Sequence, residues 1–357
     1  MANDVSVQAQ GDVERKQRLF LQAVLFYAGV IMDVLWLREE LVESLLTIDE
    51  AIASVQEAFH DHGLGLVQMP PKSYLKFSRY DGDLRTMPAY LVERDQAGVK
   101  IVNVHVANPE RGLPTVMALI VLNSPQTGAP LAVMGGTFIT AMRTGAAGAV
   151  AARALARKDS RVVGMIGAGV QAKTQLLGLS RCFEIERVLI FDALEAHSRS
   201  LEGDGRRFLD CDLQVVSSAR QACRCDILVT TTPSRRPVVE DSWILPGTHI
   251  NAIGADAAGK QELSSSLMAR ARIVVDDMAQ AVHSGEVNVP ISQGILQPEK
   301  IHAQIGEILA GKRPGRMSED EITVFDSTGL AIQDVAVGHA VYRKALSARA
   351  GMRLKID

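Results

Sequence analysis

The segment VVGMIGAGVQA, residues 162–172, is the strongest indication of the fold of this chain. Its apolar first half, Val162–Ile166, predicts a buried strand, and its last residues begin a helix. Gly167 permits the tight turn between them, Gly169 lets the backbone approach a pyrophosphate, and Ala172 allows close packing. The free N–H groups of the helix N-terminus would then face the phosphates. The stretch therefore predicts the strand–turn–helix unit of a dinucleotide-binding site.

Short apolar runs continue from this stretch to residue 326, with helical segments between several of them. The runs are VVGMIGA, VLIFD, LQVV, DILVTTT, HINAIGA, RIVVDD and ITVFD. Runs of this kind are typical of a parallel sheet that helices cover on both faces. We therefore predict an α/β fold that contains a Rossmann-type, doubly wound parallel sheet.

Asp192 ends the second of these runs, where a carboxylate holds the ribose hydroxyls of a bound adenosine. No arginine follows immediately, so a 2′-phosphate would face this carboxylate uncompensated. The arrangement favours NAD over NADP as the cofactor. The alternative is an ordinary turn with a surface aspartate.

The earlier part of the chain predicts a β-rich α+β domain. One or two amphipathic helices over residues 41–59 precede four strand-like segments, KSYLKF, LRTMPAYLV, GVKIVNVHV and TVMALIVLN. A small-residue helix follows over Arg143–Arg157, and a last helix covers Ala331–Ala348. The predicted division is a β-rich domain, a nucleotide-binding domain and a C-terminal return to the first domain, over residues 32–142, 143–330 and 331–357.

Length and composition exclude several classes of protein. The 357 residues are 47% hydrophobic and 22% charged, which is typical of about two globular domains. A net charge of -3 gives no sign of a nucleic-acid partner, and no segment after residue 32 predicts a membrane partner. The four cysteines are too few for a disulfide scaffold, which favours a reducing, cytoplasmic location. No metal site is predicted.

Residues 1–31 differ from the rest. An uncharged stretch over residues 19–32 follows Arg15, Lys16 and Arg18, and it is too short for a spanning helix. We expect residues 1–31 to be an upstream extension outside the fold, with Met32 as the start. The alternatives are a genuine docking segment and a secretory signal.

Two sets of polar residues predict a ligand site. Polar residues follow three of the later strands, at Thr230–Thr232, Asn251–Asp256 and Asp326–Thr328, where open α/β sheets bind ligands. Basic residues stand in or near apolar segments of the first domain and at the predicted start of the small-residue helix; they are Lys72, Arg85, Lys100 and Arg143. Together these cations resemble a cage for a small carboxylate, because unpaired charges are costly to bury. The alternatives are turn-forming residues and a solvated strand face.

Several motifs together resemble the ornithine cyclodeaminase/mu-crystallin family. They are MPPKSYL, GDLRTMPAYL, GVKIVNVHVANPERGLPTVMALIVLN, TAMRTGAAGAVAARALAR, IGAGVQAKTQ, HINAIGAD, GKQEL and VFDSTGLAIQDVA. The resemblance runs in one register from Met32 to about residue 350 and includes none of residues 1–31. It implies a homodimer in which the β-rich domain binds substrate and forms the dimer, with the active site between it and an NAD-binding Rossmann domain.

The resemblance also implies roles for individual residues. Lys72 and Lys100 match substrate-carboxylate positions, Arg143 a position near nicotinamide and substrate, Thr328 a substrate-lining position, and Asp256 an acid/base aspartate. Positions that match cofactor contacts are Thr115, Arg143, Val170, Gln171, Asp192, Thr232, Asn251, Ala252, Ile253, Lys260 and Ser327, beside Gly167 and Gly169 of the turn.

Two positions distinguish members of the family. Arg85 stands at a position where the resemblance implies an acidic residue in cyclodeaminases. Its cation would repel the side-chain amine of ornithine. Asp256 is the carboxylate that ketimine reductases of the mu-crystallin type lack. The combination is most similar to archaeal-type alanine dehydrogenases, which implies NAD-dependent, reversible oxidative deamination of L-alanine to pyruvate and ammonia.

The alternatives are an ornithine cyclodeaminase that forms proline with internal NAD recycling and a mu-crystallin-like ketimine reductase or ligand-binding protein. For the leading hypothesis, Lys72 and Arg85 would bind the substrate carboxylate. Lys100 and Asp256 both stay candidates for the primary base. Lys100 is a candidate because neighbouring cations would lower the pKa of a lysine toward neutrality, which makes it a usable base.

Overall fold

The computed structural model describes residues 32–356, so the expectations about residues 1–31 lie outside it. Two eight-stranded sheets form its framework. The first sheet has the order β16-β1-β7-β6-β5-β4-β2, with β3 also paired to β4. Its strands are β1 (Met32–Leu37), β2 (Val67–Gln68), β3 (Ser73–Phe77), β4 (Gly82–Leu91), β5 (Gln96–His105), β6 (Val116–Asn123), β7 (Pro130–Gly135) and β16 (Met352–Ile356).

The second sheet is parallel throughout and has the order β10-β9-β8-β11-β12-β15-β13-β14. Its strands are β8 (Val162–Ile166), β9 (Arg187–Phe191), β10 (Asp212–Val215), β11 (Ile227–Thr230), β12 (His249–Ala252), β13 (Arg272–Val275), β14 (Ala303–Gln304) and β15 (Thr323–Asp326). The seven apolar runs correspond to all of these strands except the two-residue β14. The predicted α/β fold class is confirmed.

Helices cover both sheets. They are α1 (Glu39–Leu45), α2 (Ile48–Leu64), α3 (Thr137–Leu155), α4 (Val170–Leu179), α5 (Glu195–Gly205), α6 (Ala219–Ala222), α7 (Ser265–Arg270), α8 (Met278–Ser284), α9 (Asn288–Ser292), α10 (Ile305–Leu309) and α11 (Ala331–Ser347). Short 3-10 turns occupy Ser78–Tyr80, Asn108–Arg111, Asp241–Trp243 and Pro298–Lys300. Among the described residues, no helix combines the length and apolar character needed to cross a membrane.

The small-residue helix α3 joins the two sheets. It contacts α2 on one side and α4 on the other, and Cβ atoms at Gly145 or Gly148 would collide with Thr174 or Gln175 of α4. The prediction that this helix opens at Arg143 is wrong, because it begins at Thr137 directly after β7. Arg143 therefore lies inside the helix and is buried. The apolar and polar residues before Arg143 hid this first part from the small-residue pattern.

The chain returns to the first sheet at its C-terminal end. Helix α11 packs across β4, β5 and β6, and β16 pairs antiparallel with β1. One face of the first sheet is thus buried under α11. On the other face Leu75 and Met117 occupy one row with Leu84 and Asn103 between them, and Leu75 and Met117 are exposed.

Candidate active site

The turn after β8 has the geometry that the sequence predicts. Gly167 has φ +89°, and a Cβ atom there would lie 2.9 Å from Thr231 Oγ1, so both conformation and space require glycine. Its N–H donates to the Phe191 carbonyl at 2.9 Å. Gly169 caps helix α4 and has open space where its Cβ would be. The backbone is therefore accessible to a phosphate at the N-terminus of α4.

Asp192 follows β9 and lies beside this turn. Its Oδ2 accepts from the Ala168 N–H at 2.8 Å, and its Oδ1 accepts from the Leu194 N–H at 2.9 Å. His197 Nδ1 is 3.4 Å from the same carboxylate. These contacts fix the carboxylate at the edge of the turn, where it faces a cleft.

A cleft of about 960 Å³ lies between the two sheets and contains the turn. The predicted cofactor residues that line it are Thr115, Gly167, Gly169, Val170, Gln171, Asp192 and Thr232. Residues that the prediction missed include Leu113, Thr140, Leu194 and His197. The NPERGLP turn was the available signal for Leu113, because it connects two strands at the cleft. We call this space the dinucleotide cleft.

The residues of the dinucleotide cleft fit a dinucleotide. Val170 is 72% exposed and Leu194 60% exposed, so both offer apolar surface to a planar ring. Gln171 Oε1 is buried and has no hydrogen-bond partner among residues 32–356. A buried amide oxygen without a partner is costly, and a bound donor would satisfy it.

Other predicted cofactor residues do not line this cleft. Asn251 is completely buried, and its Nδ2 donates to the Gly148 carbonyl at 3.1 Å and to Gln175 Oε1 at 3.3 Å. Its side chain thus joins β12 to α3 and α4. Buried residues next to Asn251 and at the end of β15 also stay outside the lining; they are Ala252, Ile253 and Ser327.

The predicted cations lie close to one another, and none of them lines the dinucleotide cleft. We call Lys72, Arg85, Lys100 and Arg143 the basic cluster. Lys72 Nζ donates to the Thr328 carbonyl at 2.7 Å. Removal from water lowers the pKa of Lys72 to about 8, although the charge of Asp276 opposes this. Asp276 accepts from the Thr328 and Gly329 N–H groups, both at 2.7 Å, and so holds the loop that Lys72 contacts.

Lys100 is only 1% exposed and forms a buried ion pair that the sequence analysis missed. Its Nζ is 2.7 Å from Asp334 Oδ2, and Arg143 Nε donates to Asp334 Oδ1 at 3.0 Å. Burial, followed by the positive charge of Arg143, lowers the pKa of Lys100 to about 7 although Asp334 opposes the shift. The signal for Asp334 was a lone carboxylate at the start of an apolar helix, in LAIQDVAV.

Arg85 is held by two carboxylates. Asp83 accepts from Nε at 3.0 Å and from Nη2 at 2.9 Å, while Asp256 accepts from Nη1 at 3.0 Å. Lys260 Nζ is 2.6 Å from the other oxygen of Asp256. Although burial alone would raise it, Lys260 and Arg85 hold the pKa of the Asp256 carboxyl well below its usual range. Lys260 thus lies with the basic cluster and not in the lining of the dinucleotide cleft.

A second group of buried carboxylates supports the strand ends, and the sequence analysis missed it. Glu262 accepts from Thr230 Oγ1 at 2.8 Å, Thr232 N–H at 2.6 Å and Gly254 N–H at 2.8 Å. Glu286 accepts from the Leu263 N–H at 2.6 Å. These bonds connect the ends of β11 and β12 to the segment after Lys260. They fix the shape of the cleft edge at Thr232.

Known proteins resemble this chain over almost its whole length. The model of the ornithine cyclodeaminase/mu-crystallin family matches residues 33–349. An alanine dehydrogenase of Archaeoglobus fulgidus is 53% identical over 329 residues, which are 91% of this chain and 99% of the relative. A delta(1)-pyrroline-2-carboxylate reductase of Bacillus cereus is 32% identical over 314 residues, 87% of this chain and 96% of the relative.

Solved structures give the same result. An archaeal alanine dehydrogenase dimer with bound NAD has a TM-score of 0.88 and 53% identity, and the match covers 91% of this chain and all of that one. The delta(1)-pyrroline-2-carboxylate reductase of Thermococcus litoralis, in complex with NADH and L-proline, has a TM-score of 0.88 and 39% identity over 90% of this chain and all of that one. The predicted family is confirmed: this chain belongs to the ornithine cyclodeaminase/mu-crystallin family.

Proposed function

We propose that this protein is an NAD-dependent alanine dehydrogenase, which oxidises L-alanine to pyruvate and ammonia and also catalyses the reverse reaction. The observation that carries the proposal is the buried Lys100, with a pKa near neutrality, in a cation-rich site beside a cleft built for a dinucleotide. The 53% identity to an alanine dehydrogenase over 91% of the chain supports the choice of substrate.

NAD would occupy the dinucleotide cleft. The backbone at Gly167 and Gly169 would contact the pyrophosphate, and Asp192 the adenosine ribose, as the turn geometry favours. The carboxylate of Asp192 would repel a 2′-phosphate, which supports NAD rather than NADP. NAD, when bound, accepts the hydride from the alanine Cα.

The substrate carboxylate would lie between Lys72 and Arg85. A guanidinium has five N–H donors, and Asp83 and Asp256 account for three of those of Arg85. Two donors remain for a carboxylate. Lys72 gives one bond to the Thr328 carbonyl, and an ammonium has three donors, so it also retains capacity for substrate.

Lys100 is the better candidate for the base. A general base works best with a pKa near the operating pH, and that of Lys100 is about 7. The Asp256 carboxyl has a pKa well below its usual range, which makes it a weak proton acceptor. We assign proton transfer to Lys100, which would accept a proton from the water that attacks the iminium carbon. Asp256 would instead fix Arg85 and Lys260.

The assembly and organisation follow the same proposal. The related archaeal alanine dehydrogenase is a dimer. In this chain the exposed apolar face of the first sheet, with Leu75 and Met117, offers a surface for a second copy. We propose that the protein forms a homodimer through that face. We also propose a substrate domain over residues 32–142, to which residues 331–357 return, and an NAD-binding domain over residues 143–330. The proposed location is cytoplasmic.

The proposal is tested with purified protein, NAD and a panel of amino acids that includes alanine, ornithine and lysine, by following NADH at 340 nm. We expect a steady rise of NADH with alanine. Formation of proline from ornithine without net NADH would replace the proposal by the cyclodeaminase alternative. Arg85 argues against that alternative, because its cation would face the side-chain amine of ornithine.

A further inference from the structure

Asp334 pairs with two of the four cations of the basic cluster, Lys100 and Arg143. Its side chain is completely buried, and in the described part of the chain it is the sole carboxylate within ion-pair distance of Lys100. It binds Lys100 with one oxygen and Arg143 with the other. The three residues come from β5, α3 and α11, which meet only in the folded protein.

The first turn of α11 is built around this arrangement. Gln333 Oε1 accepts from Arg143 Nη1 at 3.0 Å and from the Leu330 N–H at 3.0 Å. Gly329 has φ +78°, and a Cβ atom there would lie 2.5 Å from Arg143 Nη1. The guanidinium is thus packed against the backbone just before the helix and cannot turn away from Asp334.

We propose that Asp334 is a positioning residue for the reaction, which holds the amine of Lys100 in place and sets its protonation state. The inference rests on the proposed role of Lys100 as the proton acceptor. A lysine amine lies on a flexible stem with rotatable donors, so a fixed carboxylate is needed to aim it. A buried ion pair is weak evidence for stability, since apolar residues often replace one without loss. The place of Asp334 between two cations of the site, Lys100 and Arg143, therefore favours a functional role for this residue.

The electrostatic surroundings give the direction of the expected effect. The charged groups around Lys100 are Arg143 of α3, Lys72 just before β3 and Asp334 of α11. The two cations disfavour the ammonium form, and Asp334 favours it. Without the carboxylate charge, Lys100 would lose its proton at lower pH and become a weaker base.

Asp334→Asn in the full chain tests this inference. The substitution keeps an oxygen that can accept from Arg143 Nε but removes the charge beside Lys100. We expect the acidic limb of the kcat profile for alanine oxidation to move about 1–3 pH units lower. The plateau kcat should fall about tenfold. A folded variant whose acidic limb coincides with the wild-type limb would overturn the inference.

A double variant separates this inference from the proposed function. Lys100→Met combined with Asp334→Asn should lose no more kcat than Lys100→Met alone, because Asp334 acts through Lys100. Additive losses would contradict the positioning role. A wild-type kcat for Lys100→Met alone would instead contradict the proposed function, whatever Asp334 does.

Two further variants complete the test. Asp61→Asn is the matched control, because Asp61 is also a buried aspartate in an ion pair, 2.6 Å from Arg94, but lies outside the site. It should leave the pH profile unchanged. If circular dichroism shows that Asp334→Asn does not fold, Asp334→Glu is used in its place to test the positioning role of Asp334. It keeps the charge but displaces the carboxylate, so kcat should fall while the acidic limb stays in place; a wild-type kcat would overturn the inference.

Discussion

The dinucleotide cleft and the basic cluster are built in different ways. The turn of the cleft after β8 comes from one continuous stretch, with Gly167, Gly169 and the start of α4 within a few residues. The basic cluster takes its four cations from four separate parts of the chain, the segment before β3, β4, β5 and α3, and two of its counter-ions from later parts, Asp334 of α11 and Asp256. Local structure therefore decides the first site, and long-range ion pairing decides the second. A substitution in the cleft should change cofactor affinity, whereas one in the cluster should change proton transfer or substrate binding.

The largest effect is expected for Lys100→Met. Loss of the proposed proton acceptor should lower kcat for alanine by about 10²–10⁴-fold, while NAD affinity stays close to wild type. Steady-state kinetics and a cofactor titration measure both quantities. Lys344→Met is the control, because Lys344 pairs with Glu50 on the outside of α11. A large loss of NAD affinity would show that the two regions are not independent.

Asp192→Ala should weaken NAD binding by about tenfold to a hundredfold, since a charge-assisted hydrogen bond contributes about 1.5–3 kcal/mol. The preference for NAD over NADP should narrow, because the carboxylate no longer repels a 2′-phosphate. Fluorescence titrations with both cofactors provide the measurement. Asp204→Ala removes another carboxylate of the same domain, one that pairs with Lys173, and should leave both affinities unchanged. Unaltered affinity in Asp192→Ala would displace this residue from the ribose site.

The pH dependence of alanine oxidation reports on the basic cluster. The pKa of Lys100 is lowered to about 7, chiefly by burial, and we propose that its neutral amine is the active form. Below that pH the amine is protonated, so kcat should fall about tenfold for each pH unit and should level off above it. A profile recorded between pH 5 and 9 at saturating NAD tests this. A rate independent of pH across neutrality would remove Lys100 from proton transfer.

The smallest effect is expected for Arg85→Lys. An ammonium cannot reproduce the planar contacts of a guanidinium. The KM for alanine should therefore rise about tenfold, which corresponds to the loss of one charge-assisted hydrogen bond. NAD affinity should not change. Arg94→Lys is the matched control, because Arg94 is also paired with carboxylates, Glu57 and Asp61, but outside the site. An unchanged KM would mean that Arg85 serves only to hold Asp256.

Most of the framework could be predicted because its signals are local. The apolar runs of the parallel sheet follow from the burial of both faces, and they located every strand of that sheet except β14. The start of α3 was missed, since Thr137–Met142 lack the small-residue pattern that marks the remainder of the helix. The positions of Asn251, Ala252, Ile253 and Ser327 outside the cleft lining could not be read from the chain either, because strand-end residues face either a ligand or a neighbouring helix.

The parallel sheet, the turn after β8 with Asp192 beside it, and the four cations of the basic cluster could all be predicted from the amino-acid sequence. Each depends on residues close together in the chain or on a buried charge that stands out in an apolar segment. The pairing of each carboxylate with its cation, in contrast, depends on how distant segments pack in the folded chain. Asp334 Oδ2 and Lys100 Nζ are 2.7 Å apart, but the two residues lie on α11 and β5, which are far apart in the sequence. No local sequence pattern encodes that distance. The protonation of Lys100 depends on this packing, because burial and neighbouring charges set a pKa and both arise only when distant segments meet.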